Sequence, residues 1–419
     1  MFVECGRGMR PHSDRCGRQT TVVHPASRHS RGAAGDATTP YAGNRIMVRV
    51  RRGAPPNPHS TPGVPAGVSV RPSTVERTGM YVDLPLDRLR EYRAEREAPA
   101  DFAEFWEQSL AEARTHPLGL QVTAVDTPIR TLDTYDVVFH GYDGHPIRAW
   151  LKTPKDATGP LPVVVEFPGY GNGRGDVVES LEWASAGFAH LSMDARGQGA
   201  AGSRAGATPD PVGSAPSHPG FMTRGIEDPA TYYYRRVIVD AVRAVEAARA
   251  LDIADPERVA VVGGSQGGGL ALAAAGLVDG LAGVVSCVPF LCHIDRAITI
   301  TDAHPYAEIT KYLSIHRTKA PAVLRTLSYI DGVHFAARAT APALLTVGLM
   351  DPVCPPSTVF AAYNAYAGPK DLLVWPYNAH EGGGVEDLRA SMAFLAPLLD
   401  GRPVAAHNTV TIHDQAATG

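Results

Sequence analysis

Cysteine is scarce in this sequence, with only Cys5, Cys16, Cys287, Cys292 and Cys354 among 419 residues. No Cys-x-x-Cys pair and no Cys/His spacing of a zinc site occurs, so neither a disulfide scaffold nor a structural metal is expected. A sparse, odd-numbered set suits a reducing cytoplasm. A long uninterrupted apolar run is also lacking. The most apolar stretch, residues 269–288, is interrupted by Asp279 and divided by glycines. It reads as a buried helix followed by a buried strand rather than a membrane span. The N-terminus lacks the apolar segment of a secretory signal, because Arg7, Arg10, Arg15 and Arg18 break it up. Arg51-Arg52 has the look of a twin-arginine signal, yet Gly, Ala and prolines follow where an apolar run is needed.

Lysine is absent from residues 1–79, which hold twelve arginines against Glu4, Asp14, Asp36 and Glu76. That segment therefore carries +8, and the rest of the chain −12, within an overall charge of −4. An acidic body argues against a nucleic-acid enzyme. The head is rich in Arg, Pro, Gly, Ser and Thr and too poor in large apolar groups to offset the entropy of ordering. The expectation is a disordered head, with a basic tether for an acidic partner as the alternative. Met80 opens the first globular-looking segment, Met80-Tyr81-Val82-Asp83-Leu84-Pro85-Leu86. One reading makes Met80 the true start and the head a start-site artefact.

What is present is a βα alternation. Phe102, Phe105, Trp106 and Leu110 recur at helical spacing and predict an amphipathic helix over residues 100–114. Alternating segments at 121–126, 135–140 and 146–153 read as antiparallel opening strands, with Tyr142-Asp143-Gly144 as a hairpin turn. Strands are then predicted at 163–167, 188–193, 259–263, 283–288, 344–348 and 372–375. Helices are predicted at 232–251, with Val237, Ala241, Val245 and Ala248 on one apolar face, and at 268–278, 357–367 and 385–399. Residues 200–225 read as a long surface insertion and 290–338 as a helical insert where a cap is often placed. Residues 403–419 read as a polar tail. Strands separated by helices predict an α/β fold with a mostly parallel central sheet covered on both faces, spanning residues 80–402.

The strongest chemical signal is Gly263-Gly264-Ser265-Gln266-Gly267. It has the G-x-S-x-G form and falls between an apolar strand and an alanine-rich helix, where a sharp turn projects a nucleophilic serine. A serine needs a base and an orienting acid, in the chain order Ser, Asp or Glu, His. His380 follows the last strand in the run Asn378-Ala379-His380-Glu381-Gly382-Gly383-Gly384, and Asp351 ends the preceding strand. Ser265, Asp351 and His380 are the predicted triad. The predicted oxyanion donors are the backbone amides of Gln266 and of Tyr170, the latter after the strand that ends at Phe167. Tyr170 and Phe290 are expected to wall the acyl pocket. Arg196, in the run Arg196-Gly197-Gln198-Gly199, is expected to support the loops below the site by pairing with an acid. No metal and no cofactor is predicted.

With these residues in hand, the sequence resembles the acetyl xylan esterase / cephalosporin-C deacetylase family, carbohydrate esterase family seven. Three marks carry the resemblance: the Arg-Gly-Gln-Gly run at 196–199, the nucleophile run at 263–267, and His380-Glu381. It extends to Asp83-Leu84-Pro85-Leu86, to Gly225-Ile226 with Tyr232-Tyr233-Tyr234-Arg235, and to the stretch 355–364. The resemblance implies the α/β-hydrolase fold, with Ser265, Asp351 and His380 as triad. It implies cytoplasmic deacetylation of short acetylated sugars and of small esters such as cephalosporin C. It also implies a homo-hexamer, a trimer of dimers. Many members have His-Gly-Tyr where this chain has Pro168-Gly169-Tyr170, which keeps the tyrosine amide but alters the outer pocket. The alternatives are a serine peptidase or aminoacyl hydrolase using the same triad, and a non-catalytic binding protein of the same fold.

Overall fold

The computed structural model describes residues 82–212, 220–402 and 408–413. The basic head, Met80 and Tyr81 lie outside the described residues. Ten strands form one sheet in the order β1-β2-β3-β5-β4-β6-β7-β8-β9-β10. The strands are β1 Gln121–Ala124, β2 Leu132–His140, β3 Pro146–Pro154, β4 Leu161–Phe167, β5 Ala189–Met193, β6 Ala254–Gly264, β7 Gly283–Cys287, β8 Ala343–Gly348, β9 Lys370–Trp375 and β10 Val410–Ile412. The pairs β1–β2, β2–β3 and β3–β5 are antiparallel, and every pair from β5–β4 onward is parallel. The predicted turn at Tyr142-Asp143-Gly144 joins β2 to β3. Asp143 and Gly144 both take positive φ there, 54° and 67°, as a tight hairpin with right-handed strand twist requires.

Eleven α-helices are described: α1 Leu86–Glu91, α2 Phe102–Arg114, α3 Glu182–Ser185, α4 Tyr233–Arg249, α5 Gln266–Leu277, α6 Ile294–Ile300, α7 Tyr306–Ile315, α8 Ala320–Ser328, α9 Gly332–Ala336, α10 Pro356–Ala365 and α11 Val385–Leu399. One face of the sheet is covered by α4 and α5, which share a large apolar cluster with α2 and the insert. Phe102, Trp106 and Leu110 of α2 are buried in it, and the Trp106 indole donates to the Tyr329 carbonyl at 2.9 Å. The other face carries a smaller cluster built around Val164, Trp183, Phe188, Val262 and Leu395 under α3 and α11. Helices α6–α9 fill the predicted cap position between β7 and β8. Asp83 pins the N-terminal segment, accepting from the Ser357 amide at 2.7 Å and from Arg296 at 2.9 Å. Among the described residues no helix is long and apolar enough to cross a membrane.

Three expectations change. Helix α4 is not amphipathic toward water: Arg235, Arg236, Asp240 and Arg243 are buried along with Val237, Ala241, Val245 and Ala248. Periodicity missed this because Arg235, Arg236 and Asp240 are neutralised by partners brought from far along the chain, Glu112, Asp210 and Arg196, while Arg243 pairs with Glu246 on the same helix. Residues 200–212 and 220–225 do not simply ride on the surface, since Thr208, Met222 and Thr223 are buried; residues 213–219 lie outside the described residues. Finally, the polar tail contributes β10, which pairs in parallel with β9 from Val410↔Leu372 to Ile412↔Val374. A three-residue strand that is exposed on its outer side shows too little alternation to be read from sequence.

Candidate active site

The site begins at the C-terminal end of β6, in the middle of the sheet. Ser265 sits between β6 and α5 with φ 55° and ψ −119°, a strained conformation for any residue but glycine. Two glycines permit it. A Cβ on Gly263 would lie 2.3 Å from the Gly267 backbone, and one on Gly267 would lie 2.1 Å from the Phe167 carbonyl oxygen. Strand, turn and helix therefore approach more closely than side chains allow. Behind the turn stands the N-terminus of α5, a helix whose first ten residues are all buried. Its unpaired amides place positive potential at the serine.

The loop after β9 brings the imidazole over this turn. His380 Nε2 lies 3.0 Å from Ser265 Oγ, and Nδ1 lies 2.8 Å from Asp351 Oδ2. Asp351 is fully buried at the end of β8. Its other oxygen accepts from the amides of Val353 and Cys354 at 2.8 and 2.9 Å, so the carboxylate is oriented from both sides. The three sequence-predicted residues thus form one continuous hydrogen-bonded line. Asp351, Cys354 and His380 also have the spacing of a metal site. Their donors do not suit one. Both imidazole nitrogens and both carboxylate oxygens are already engaged, and burial pushes the Cys354 thiol well up.

The predicted oxyanion residues are cross-braced. The Gln266 amide is the first of α5, where a helix has no acceptor of its own. The Gln266 side chain accepts from Tyr234 Oη and Gln198 Nε2, each at 2.9 Å, and donates to the Pro168 carbonyl at 3.2 Å. Gln198 in turn accepts from the Gly171 amide at 2.7 Å. The Arg-Gly-Gln-Gly run therefore ties the nucleophile turn to the Tyr170 loop. Arg196 is fully buried and pairs with Asp240 through two bonds of 2.6 and 2.7 Å, the supporting role read from the sequence. Tyr233 Oη donates to the Arg196 carbonyl at 2.6 Å and fixes the same loop.

Tyr170 lines the cavity above Ser265. Its hydroxyl donates to Glu308 of α7 at 2.6 Å and accepts from the Phe221 amide at 2.8 Å. Burial and the Glu308 carboxylate hold its phenol far above the ordinary value. Phe290 is a correction. It is fully buried and packs edge-on behind Tyr170, with ring centroids 6.2 Å apart, and is not among the residues that line the cavity. The chain turns inward after β7, and the Phe290 amide bonds to the Ser265 carbonyl at 3.0 Å. The cap instead presents His304 and Pro305 to the cavity.

Two site residues were missed by the sequence reading. Glu308 anchors Tyr170 from 138 positions away, and no local pattern announces that. Asp387 holds the His380 loop by accepting from the Gly383 amide and the Trp375 indole, both at 2.8 Å. In the sequence it looks like any acid in the first turn of a helix.

A serine on a strand–helix elbow, bridged by histidine to a buried aspartate on a mostly parallel sheet, defines the α/β-hydrolase class. Within that class the chain belongs to the acetyl xylan esterase (AXE1) family, whose profile matches residues 80–398. An acetyl esterase of Xylanibacter ruminicola, Axe7A, is 32% identical over 292 residues, covering 67% of this chain and 63% of that relative's length. An acetyl xylan esterase from Paenibacillus sp. R4 has 42% identity and a TM-score of 0.71, covering 74% of this chain and 99% of the other. Acetyl xylan esterase 1 from Thermoanaerobacterium sp. JW/SL YS485 has 35% identity and a TM-score of 0.69, covering 75% and 99%.

Proposed function

We propose that this chain is a serine carboxylesterase that removes acetyl groups from acetylated xylo-oligosaccharides and similar small esters such as cephalosporin C. The observation that carries the reading is the position of His380, within hydrogen-bond reach of both Ser265 and Asp351 at the mouth of a cavity of about 630 Å³. In the proposed cycle Ser265 Oγ attacks the ester carbonyl while His380 Nε2 takes its proton. Asp351 stabilises the imidazolium. The carbonyl oxygen becomes negative and is met by the amides of Tyr170 and Gln266, a donor pair of the kind whose loss costs about 10²–10³ in rate per donor. His380 then protonates the departing alcohol, and a water repeats the sequence to release acetate and restore the serine.

In this reading the acyl methyl lies against Tyr170, Pro305 and Val353, which line the cavity beside Ser265. Each added methylene gains about 0.8 kcal/mol by burial, whereas forcing it into a closed pocket costs about 1–3 kcal/mol. The steric cost wins, so kcat/KM should fall from acetate to butyrate. The reading includes a cytoplasmic location and a homo-hexamer built as a trimer of dimers, both from the resemblance to the family. Such an assembly would favour short acetylated fragments over polymeric xylan. Acetate release from acetylated xylo-oligosaccharides, polymeric xylan and an acetylated cephalosporin, measured side by side, tests it. Activity on peptide amides with none on acetate esters would sink the reading and favour the peptidase alternative.

A further inference from the structure

The helices on the thinner face of the sheet leave a strip open. Helix α3 packs over β3 and β5, whereas α11 packs over β6, β7 and β8. The C-terminal ends of β4 and β6 lie between these coverings. Pairing across the strands puts Glu166, Val262 and Val285 on one rung, and Gly264 and Cys287 on the next. Side chains two apart on a strand share a face, so both rungs point into this strip. All five residues line the cavity that holds Ser265, as do Trp183 of α3 and Leu388 of α11.

Gly264 is the opening. It is exposed although it belongs to a central strand and adjoins the nucleophile. A Cβ built on it meets nothing within 4 Å, and its backbone lies outside the left-handed region. Glycine is thus not needed there for the turn, unlike Gly263 and Gly267. Three polar groups along the strip are already engaged. Asp387 accepts from Thr346, Trp375 and Gly383, Ser391 donates to the Asp387 carbonyl, and Glu166 pairs with Arg204. The walls left to a ligand are mainly those of Val262, Val285, Cys287, Trp183 and Leu388.

We propose that Gly264 opens a second arm of the active-site cavity, between α3 and α11, that receives the apolar part of the ester's alcohol. The proposal rests on the esterase reading above. The alcohol side is chosen for a chemical reason. His380 Nε2 must protonate the alcohol oxygen as it leaves, so the alcohol departs on the His380 side. The α11 wall of the arm continues directly from the His380 loop. An uncharged alkyl or aryl group about the size of a phenyl ring is the fitting occupant, since the walls are mainly apolar and the carboxylates at the edge of the arm, Glu166 and Glu182, disfavour an anion.

The test uses the full-length chain and three esters: ethyl acetate, benzyl acetate and ethyl butyrate. Gly264→Val and Leu388→Trp narrow the arm from opposite walls, and Leu388→Ala widens it. In both narrowing variants the ratio of kcat/KM for benzyl over ethyl acetate should fall about tenfold or more, and in Leu388→Ala it should rise, as expected when a snug pocket gains or loses a few methylenes. The butyrate-to-acetate ratio of the ethyl esters should stay within about twofold of wild type. Leu388→Trp keeps the test valid if Gly264→Val disturbs the nucleophile turn. A benzyl-to-ethyl ratio that does not move in any variant overturns the arm. A shift confined to the butyrate ratio overturns the alcohol assignment and makes the arm an acyl pocket. Wild-type protein that hydrolyses none of the acetates overturns the esterase reading instead.

Discussion

The two faces of the sheet solve the same problem, covering a parallel sheet, with different amounts of material. The α4–α5 face is thick. It buries Tyr232, Tyr233 and Tyr234, and it encloses the ion pairs Arg196–Asp240 and Arg236–Asp210. The α3–α11 face is thin. Its polar cluster, Glu166 with His190 and Arg204, reaches the cavity at Glu166, and beneath it Lys152 is fully buried. Burial lowers the Lys152 ammonium to about 8, with Glu166 opposing that shift. The difference teaches a division of labour. The thick face immobilises the nucleophile turn and the Tyr170 loop through Gln198 and Gln266. The thin face leaves room beside the nucleophile. Rigid support and open space are hard to provide from the same side, because close packing leaves few voids larger than a water.

The largest effect should separate the chemistry from both faces. Ser265→Ala should cost on the order of a million-fold in kcat with the melting temperature unchanged, since only one oxygen is lost from an otherwise intact fold. Steady-state rates with a chromogenic acetate and a thermal melt check both halves. A variant that keeps a tenth of wild-type activity would remove Ser265 from the role.

Next in size is the thick face. Asp240→Ala removes the close two-point partner of Arg196 and leaves it only Asp210 at 3.7 Å, which also serves Arg236; breaking a buried pair in this way costs about 3–5 kcal/mol. Denaturant unfolding should show a loss of that size. Activity should fall as well, because the Arg196–Gly199 run carries Gln198. A loss below 1 kcal/mol would show that the pair behaves as a surface ion pair and would undo the contrast between the faces.

On the thin face the corresponding change should be smaller and dependent on pH. Burial disfavours the Glu166 carboxylate, but His190 and Arg204 outweigh it and bring the pKa from the ordinary 4.5 to about 2. A depressed pKa contributes stability that is present above the unfolded value and fades as pH falls through the folded one. Glu166→Gln should therefore cost about 2–3 kcal/mol at neutral pH. The gap to wild type should stay level down to about pH 5 and narrow below pH 4.5. Urea unfolding at pH 7, 5 and 3.5 reads this directly. A gap that widens on acidification would contradict the assignment.

The smallest effect is expected from the head. Deleting residues 1–79, which lie outside the family match, should leave kcat/KM and the melting temperature within error, as is usual for a segment so poor in large apolar residues. Loss of the oligomer or of solubility in the truncated chain would show that the head packs on the body.

Much of this protein is determined by short-range sequence. The elbow at Ser265 needs Gly263 and Gly267 two residues to either side, so the proposed nucleophile and the fold class are legible together in five letters. Asp351 and His380 are legible because each follows a strand in the order this fold imposes. Strand and longer-helix positions mostly agree, whereas the short helices α1 and α3 and the edge strand β10 were not read from the sequence. The tertiary structure alone decided what the remaining polar residues do. Asp240 on a helix read as amphipathic, Glu308 on the cap and Asp387 after the histidine loop each act through partners between 4 and 138 positions away. It also moved Phe290 out of the pocket and put His304 and Pro305 into it. Periodicity and motifs record which face of an element is apolar. They carry no record of which charge from elsewhere in the chain meets it there, or of where two helices fail to close over a sheet.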